Sequence, residues 1–146
     1  MIFLGADHNG IVLKNRLLAF LKKRGVAFVD LSPVRRVPTD DYPPIARRVV
    51  AAVRRKKGSF GVLVCGSGNG MVMAANRFPD IRAALAPSPA YARKAREDEN
   101  ANIIVLPAWW LTTRGATRTL HQWLTTAFSK EPRHRRRIRQ LSTRNG

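Results

Sequence analysis

The sequence predicts an α/β fold: a three-layer, doubly wound arrangement with a five-stranded parallel sheet, order 2-1-3-4-5, and helices on both faces. Three observations predict it. Short apolar runs alternate with segments whose apolar residues recur every three to four positions. No low-complexity linker or internal repeat breaks that alternation, so residues 1–146 read as a single domain. A chain of 146 residues with 45% hydrophobic content is long enough to bury one core of ordinary size.

Ile2-Phe3-Leu4, ending at Gly5, reads as a buried first strand. Leu13, Leu17 and Leu21 recur every four residues between Gly10 and Arg24, and Gly25 follows as a stop signal, which predicts a helix. Val26 to Leu31 reads as the second strand, and Ser32 to Pro44, with four prolines, as a loop. Ile45, Val49 and Val53 mark the buried face of a second helix whose other face carries Arg47, Arg48, Arg54 and Arg55. Phe60 to Val64 is the third strand. Met71 to Arg77 suits a short helix, Ile81 to Leu85 a fourth strand, Tyr91 to Glu97 a helix, and Ile103 to Leu106 a fifth strand. Leu120, Trp123, Leu124, Ala127 and Phe128 line one side of a long helix, and an arginine-rich helix is expected at about 133–143.

No apolar run approaches the roughly 18 residues that cross a bilayer. The N-terminus turns polar at Asp7 without a basic leader, so it does not read as a secretory signal. One cysteine cannot form an internal disulfide, and no Cys/His cluster has metal-ligand spacing. A soluble, cytoplasmic protein without metal or cofactor is expected. Its 27 Lys and Arg against 9 Asp and Glu give a formal charge of +18, a field that attracts anions of every kind. Nucleic acid is among them, although aromatic residues make up only 8% and no nucleic-acid-binding module is present. Any single Lys or Arg is as easily solvated helix surface.

In sheets of this type ligands bind beyond the carboxyl ends of the strands, where strand order reverses. That point lies between strands one and three, and it brings Asp7-His8 together with Cys65-Gly66-Ser67. A lone cysteine at a strand end is commonly a small apolar filler. Here it precedes glycines at 66, 68 and 70 and a helix start, a place that can lower a thiol pKa from about 8.5 toward neutrality. The glycines form either a plain tight turn or a cradle of N–H groups for an anion. They match neither the dinucleotide fingerprint nor a P-loop. Ser67 either relays a proton or bonds to its own turn. Asp7 either binds hydroxyls, with His8, or caps the following helix. His121 sits among polar neighbours and reads as surface. Arg133 and Arg137 lie four apart on one helical face, as a phosphate grip would need, but spacing does not single them out within Arg133-His134-Arg135-Arg136-Arg137.

These residues resemble the ribose-5-phosphate isomerase B family, which includes galactose-6-phosphate and allose-6-phosphate isomerases. The resemblance covers nearly the whole chain. It rests on Gly5-Ala6-Asp7-His8-Asn9-Gly10, Leu13-Lys14, Asp41-Tyr42-Pro43, Cys65-Gly66-Ser67-Gly68-Asn69-Gly70, Ala74-Ala75-Asn76-Arg77, Asn100-Ala101-Asn102 and Arg133-His134-x-x-Arg137-Ile138. It implies a metal-free aldose–ketose isomerisation of a phosphorylated sugar through a cis-enediolate, with ribose 5-phosphate and ribulose 5-phosphate as the first pair to test. Cys65 would move the proton between C1 and C2, and Ser67 would help protons shift between O1 and O2. The amides of Gly66, Gly68, Asn69 and Gly70 would hold the enediolate. Asp7 and Tyr42 would contact the sugar, and His8, Arg133 and Arg137 the phosphate. The resemblance also implies a homodimer or homotetramer whose sites use residues of two subunits.

The chain departs from the family at three substrate-contacting positions. Asp98 stands where the family has the histidine credited with opening the sugar ring, and Glu99 where it has an asparagine that holds the anionic intermediate beside Asn100. Trp109 replaces a third arginine near the phosphate. Met71 stands where a subset of the family carries a glutamate as base, which leaves Cys65 as the sole candidate. The alternative these changes raise is an isomerase fold with altered or lost catalysis that binds sugar phosphate or nucleic acid through its basic surface.

Overall fold

A computed structural model describes residues 1–32 and 38–142. Its strands are β1 (Ile2–Ala6), β2 (Phe28–Asp30), β3 (Phe60–Cys65), β4 (Ala83–Leu85) and β5 (Ile103–Pro107). Its helices are α1 (Ile11–Lys23), α2 (Tyr42–Arg55), α3 (Asn69–Ala75), α4 (Pro89–Glu97), α5 (Thr113–Thr125) and α6 (Pro132–Ser142). The expected C-terminal helix is α6, and residue 143 lies outside the described residues.

All four strand pairings are parallel, in the order β2-β1-β3-β5-β4. The last two strands are therefore exchanged relative to the predicted 2-1-3-4-5. Burial explains the exchange. All five residues of β5 are buried and need a neighbour on each side, whereas Ala84 and Leu85 of β4 are partly exposed, as an edge allows. The helices follow from handedness. The chain steps outward from β3 to β4 over α3, then steps back to β5, and a right-handed return places α4 on the opposite face. Accordingly, Ala92 of α4 packs with Leu13 and Leu17 of α1 and Leu120 and Trp123 of α5. Ile45 and Val49 of α2 pack with Met71 and Ala75 of α3 on the other face. The sheet feeds both layers by alternation: Val62 and Val64 join the first cluster, Leu63 and Cys65 the second.

Helix ends obey local chemistry. Beyond α1, Gly25 takes φ +65°, its N–H donates to the Lys22 carbonyl and the Val26 N–H to the Leu21 carbonyl, a Schellman closure that ends the helix. The expected loop ends three residues early, because α2 begins at Tyr42 and Pro43 and Pro44 occupy its first turn, where no N–H is required. The part of that loop over residues 33–37 lies outside the described residues.

Lys14, although in α1, is only 4% exposed, and its ammonium pairs with Asp30 at the end of β2. The Ser32 N–H donates to Asp30 and the Ala6 N–H donates to the Ser32 hydroxyl, so this ion pair ties β2 to the carboxyl end of β1. Burial raises the Asp30 pKa, but the hydrogen bonds from Lys14 and Ser32 outweigh it and hold the carboxyl below its ordinary value. A folded-state pKa below the unfolded one contributes stability above the unfolded pKa, and that stability is lost as pH falls through the folded value. Lys14→Met should therefore cost about 1–3 kcal/mol near neutral pH. The parent–variant gap should shrink below about pH 4, where the unfolded chain's Asp also takes its proton. Urea melts across that range check it; a gap independent of pH would contradict the pairing.

Candidate active site

With all strands parallel, their carboxyl ends gather at one edge of the sheet. Asp7 follows β1, Cys65 closes β3 and Pro107 closes β5, with Ala6 in register with Val64 and Cys65 with Pro107. The Asp7 N–H donates to the Val64 carbonyl (3.3 Å), the Ala108 N–H to the Cys65 carbonyl (2.8 Å), and the Trp109 N–H to the Gly66 carbonyl (3.2 Å). From this edge α1 leaves toward one face and α3 toward the other, which opens the crevice between them.

Asp7 is 3% exposed. Its Oδ1 accepts the N–H groups of Asn9 (3.0 Å) and Gly10 (3.1 Å), so it holds the turn into α1. Its carboxylate also accepts a hydrogen bond from the Cys65 thiol. Of the two roles the sequence posed for Asp7, the turn cap is present, and the contact with the Cys65 thiol is one the sequence did not pose. Sγ also receives the backbone N–H groups of Gly68 and Gly66. The balance is against ionisation: burial, then the hydrogen bond and charge of Asp7, push the thiol up to about 12, and the two amides recover only part of it. The expected lowering toward neutrality is thereby corrected. The sequence shows the glycine loop but not the desolvation or the carboxylate beside the sulfur.

The loop is walled by aromatic rings. A Cβ on Gly66 would come within 2.5 Å of the Trp109 indole, and one on Gly70 within 2.5 Å of the Tyr42 ring. Trp109 is largely exposed and meets Trp110 edge-on at 5.7 Å. Gly68 has φ +82°, and a Cβ there would press on Leu85 at 2.6 Å, so both backbone shape and space require glycine. Ser67 is half-buried, and its Oγ accepts the Asn69 N–H at 3.4 Å, a turn contact; Asn69 itself is exposed. Met71 is fully buried in the α2–α3 core, and its thioether cannot take a proton.

His8 lies beside this crevice. Its Nδ1 is 2.7 Å from Asp40 Oδ1, which also accepts the His8 N–H, and its Nε2 is 2.9 Å from the Asn9 amide nitrogen. Asp40 therefore fixes the ring with Nδ1–H toward the carboxylate and leaves Nε2 as acceptor. Its other oxygen, Oδ2, is buried without a hydrogen-bond partner among the described residues. Sequence reasoning missed Asp40, because nothing in the Asp40-Asp41 pair separates the inward carboxylate from the outward one.

The remaining candidates lie elsewhere. Asp98, Glu99 and Asn100 precede β5 and so stand at the amino ends of the strands, across the sheet from Cys65. Asp98 closes α4, with Lys94 Nζ at 3.5 Å and His134 Nε2 at 3.9 Å. Asn100, at φ +47°, accepts from Arg96 through its side chain and from Arg82 through its carbonyl. Glu99 is exposed in a groove of about 410 Å³ that it shares with Ala83, Ala84 and Leu141. Helix α6 is anchored there by buried His134, whose Nδ1 meets the Ser129 hydroxyl at 2.7 Å. Arg133 pairs with Glu131 at 2.8 Å, and Arg137 is exposed. One chain thus gathers Asp7, His8, Tyr42, Cys65 and residues 66–70, and holds Asp98, Glu99, Asn100, Arg133 and Arg137 apart from them. Among the described residues no three His, Cys, Asp or Glu side chains are placed to hold a metal ion, and no helix is long and apolar enough to cross a membrane.

Fold and site together define a small doubly wound domain with a buried thiol, a carboxylate and glycine-loop amides converging at its switch point. The chain belongs to the ribose/galactose isomerase family, whose profile matches residues 2–141. It is 39% identical over 137 residues to ribose-5-phosphate isomerase B of Mycobacterium tuberculosis, an alignment covering 94% of this chain and 85% of that protein. Among solved structures, it superposes on a ribose 5-phosphate isomerase from Thermotoga maritima with a TM-score of 0.92 at 38% identity, over 97% of this chain and 96% of the other. Ribose-5-phosphate isomerase B from Mycoplasma genitalium, solved with bound ribulose-5-phosphate, gives a TM-score of 0.92 at 34% identity, over 97% and 93%.

Proposed function

We propose that the protein is a cytoplasmic aldose–ketose isomerase of a phosphorylated sugar, interconverting ribose 5-phosphate and ribulose 5-phosphate with Cys65 as base. The observation that carries this reading is the Cys65 sulfur, held between the Asp7 carboxylate and the amides of Gly66 and Gly68 at the switch point. The thiolate takes the proton from C2 of the open-chain aldose, the C–H electron pair forms the C1–C2 double bond, and O1 becomes part of the enediolate. The amides of residues 66–70 receive that charge. Ser67 moves a proton between O1 and O2, and the Cys65 proton returns to C1 to give the ketose. The raised thiol pKa sets one requirement: the sulfur must ionise when substrate arrives. Sugar hydroxyls that donate to Asp7 weaken its hold on the thiol proton, and cations around the phosphate lower the thiol pKa further.

Those cations and the ring-opening acid come from a second copy. Asp98, Glu99, Asn100, Arg133 and Arg137 lie too far round the sheet to act on their own chain's Cys65, so the reading requires at least a homodimer in which each copy completes the other's site. His8, oriented by Asp40, contributes to the phosphate from the Cys65 side. Trp109, where the family has an arginine, presents an apolar ring to the sugar instead of a third cation.

Subunit complementation tests both parts at once. Cys65→Ala and Asp98→Ala should each abolish most exchange of the C2 proton of ribose 5-phosphate in deuterated water. Mixed and re-equilibrated one to one, they should recover about a quarter of parental activity, because half the dimers are mixed and each has one intact site. No recovery would place Cys65 and Asp98 in one chain's site or outside catalysis. No exchange by the parent on any aldose or ketose phosphate would reject the isomerase.

A further inference from the structure

At the amino ends of the strands, across the sheet from Cys65, the end of α2 and the loops before β4 and β5 enclose a cleft of about 1170 Å³. Arg54, Arg55, Lys57, Arg82 and Arg96 line it, with Asp80 as its one carboxylate. The isomerase reading gives none of these cations a contact with substrate, although Arg82 and Arg96 hold Asn100 in place. Arg54, Arg55 and Lys57 are exposed at the rim, whereas Arg82 and Arg96 are half-buried in the floor.

The floor is a built feature. Arg82 Nε donates to the carbonyls of Glu99 (3.0 Å) and Asn100 (3.1 Å), and its Nη2 to Asn100 again (3.0 Å). Arg96 Nη1 donates to Asn100 Oδ1 (3.0 Å) and the Ala101 carbonyl (2.6 Å), while its guanidinium stacks 4.7 Å from the Phe60 ring centre. Both groups are fixed by neutral acceptors, which orient them without cancelling their charge, and N–H donors remain on each. Burial lowers both guanidinium pKa values; the charge of Asp80 works against this at Arg82, and the Arg82 charge adds to it at Arg96. Among the described residues, the Lys and Arg ion pairs with carboxylates lie outside this cleft: Lys14 with Asp30, Arg93 with Glu97, Lys94 with Asp98, Arg133 with Glu131. Here the chain concentrates five against one, in a concavity.

We infer that this cleft is a second anion site, separate from the Cys65 crevice, that takes an oligophosphate: a run of two or three linked phosphates, free or as the tail of a nucleotide. A single phosphate, with at most two charges, leaves most of the five cations unneutralised, whereas a triphosphate nearly balances the cleft. Oriented guanidinium forks in the floor and mobile charges at the rim suit linked phosphate oxygens.

Titration calorimetry of the full chain with inorganic tripolyphosphate, ATP and orthophosphate, at about 0.15 M KCl so that diffuse attraction is screened, tests it. Tripolyphosphate should bind once per chain, at least about ten-fold more tightly than orthophosphate. Arg54→Ala with Lys57→Ala should weaken it at least about ten-fold. Arg47→Ala with Arg48→Ala, which removes the same charge from α2 outside the cleft, should weaken it less than about two-fold. All four side chains are exposed, so both doubles should keep the parental melting temperature and ribose 5-phosphate turnover. ATP binding comparable to tripolyphosphate assigns recognition to the phosphates alone, and much tighter ATP binding adds a nucleoside contact; both support the site. Equal losses in the two doubles, equal affinity for orthophosphate, or no saturable binding of tripolyphosphate would overturn it.

Discussion

Cys65→Ala should lower kcat for ribose 5-phosphate by at least about a thousand-fold, within the span that a positioned proton-transfer group contributes. Cys65→Ser should fall nearly as far, because a hydroxyl in the same apolar, carboxylate-flanked place ionises still less readily than a thiol. The pH profile carries the sharper information. The thiol stands at about 12 in the free protein because of burial and Asp7, so kcat/KM should climb with pH through neutrality and beyond without a plateau set by a neutral thiol. Asp7→Asn removes the carboxylate that accepts the thiol proton and repels the thiolate. It should speed alkylation of Cys65 by iodoacetamide near neutral pH several-fold, even as it impairs turnover. A parental kcat/KM that levels off near pH 7, or alkylation unchanged in Asp7→Asn, would mean that the sulfur is not held in this way.

Gly10→Ala should be the most damaging small substitution in the chain. A methyl group there would sit 2.2 Å from the Val64 carbonyl oxygen and 2.5 Å from its carbon, so the obstacle is backbone rather than a side chain that can swing aside. Relief requires β3 to move just before Cys65, or the Asp7 turn to lift from Val64, breaking the hydrogen bond between them. We expect at least about 3 kcal/mol of destabilisation in urea, at the upper end for overpacking. In the fraction that folds, we expect about a hundred-fold loss of kcat from displacement of the sulfur. Gly115→Ala, whose added methyl would approach nothing closer than the Thr112 hydroxyl at 3.3 Å, is the control and should cost little. A Gly10→Ala protein within about 1 kcal/mol of the parent would show that the approach of α1 to β3 is looser than described.

Much of this site is legible in the sequence, and what is not has identifiable causes. The apolar runs of β1, β3 and β5 have no polar interruption, so their burial and parallel pairing follow from composition, and with them the meeting of Asp7 with Cys65. The exchange of β4 and β5 is not legible, since both orders share the same alternation of elements. The difference lies in which face α4 covers, and its small buried residues, Ala92 and Ala95, suit either. The Cys65 pKa is illegible for another reason: the glycine loop is local in sequence, but the carboxylate that opposes it arrives from β1. Asp40 reaches His8 across 32 residues. The grouping of Asp98, Glu99 and Asn100 with Cys65 came from family resemblance, and strand polarity alone places them at opposite ends of one chain.

The two outer strands have a consequence for how copies of this chain can meet. β2 and β4 are three residues long, and β4 lies between Pro79 and Pro87, which cannot donate to a continuing ladder. Neither rim offers the long row of free amides and carbonyls on which a foreign strand could template itself. A pairing of copies would therefore have to run through side chains on helices and loops, where geometry can be specified residue by residue. The brevity of its rims thus turns the fold away from open-ended β-stacking.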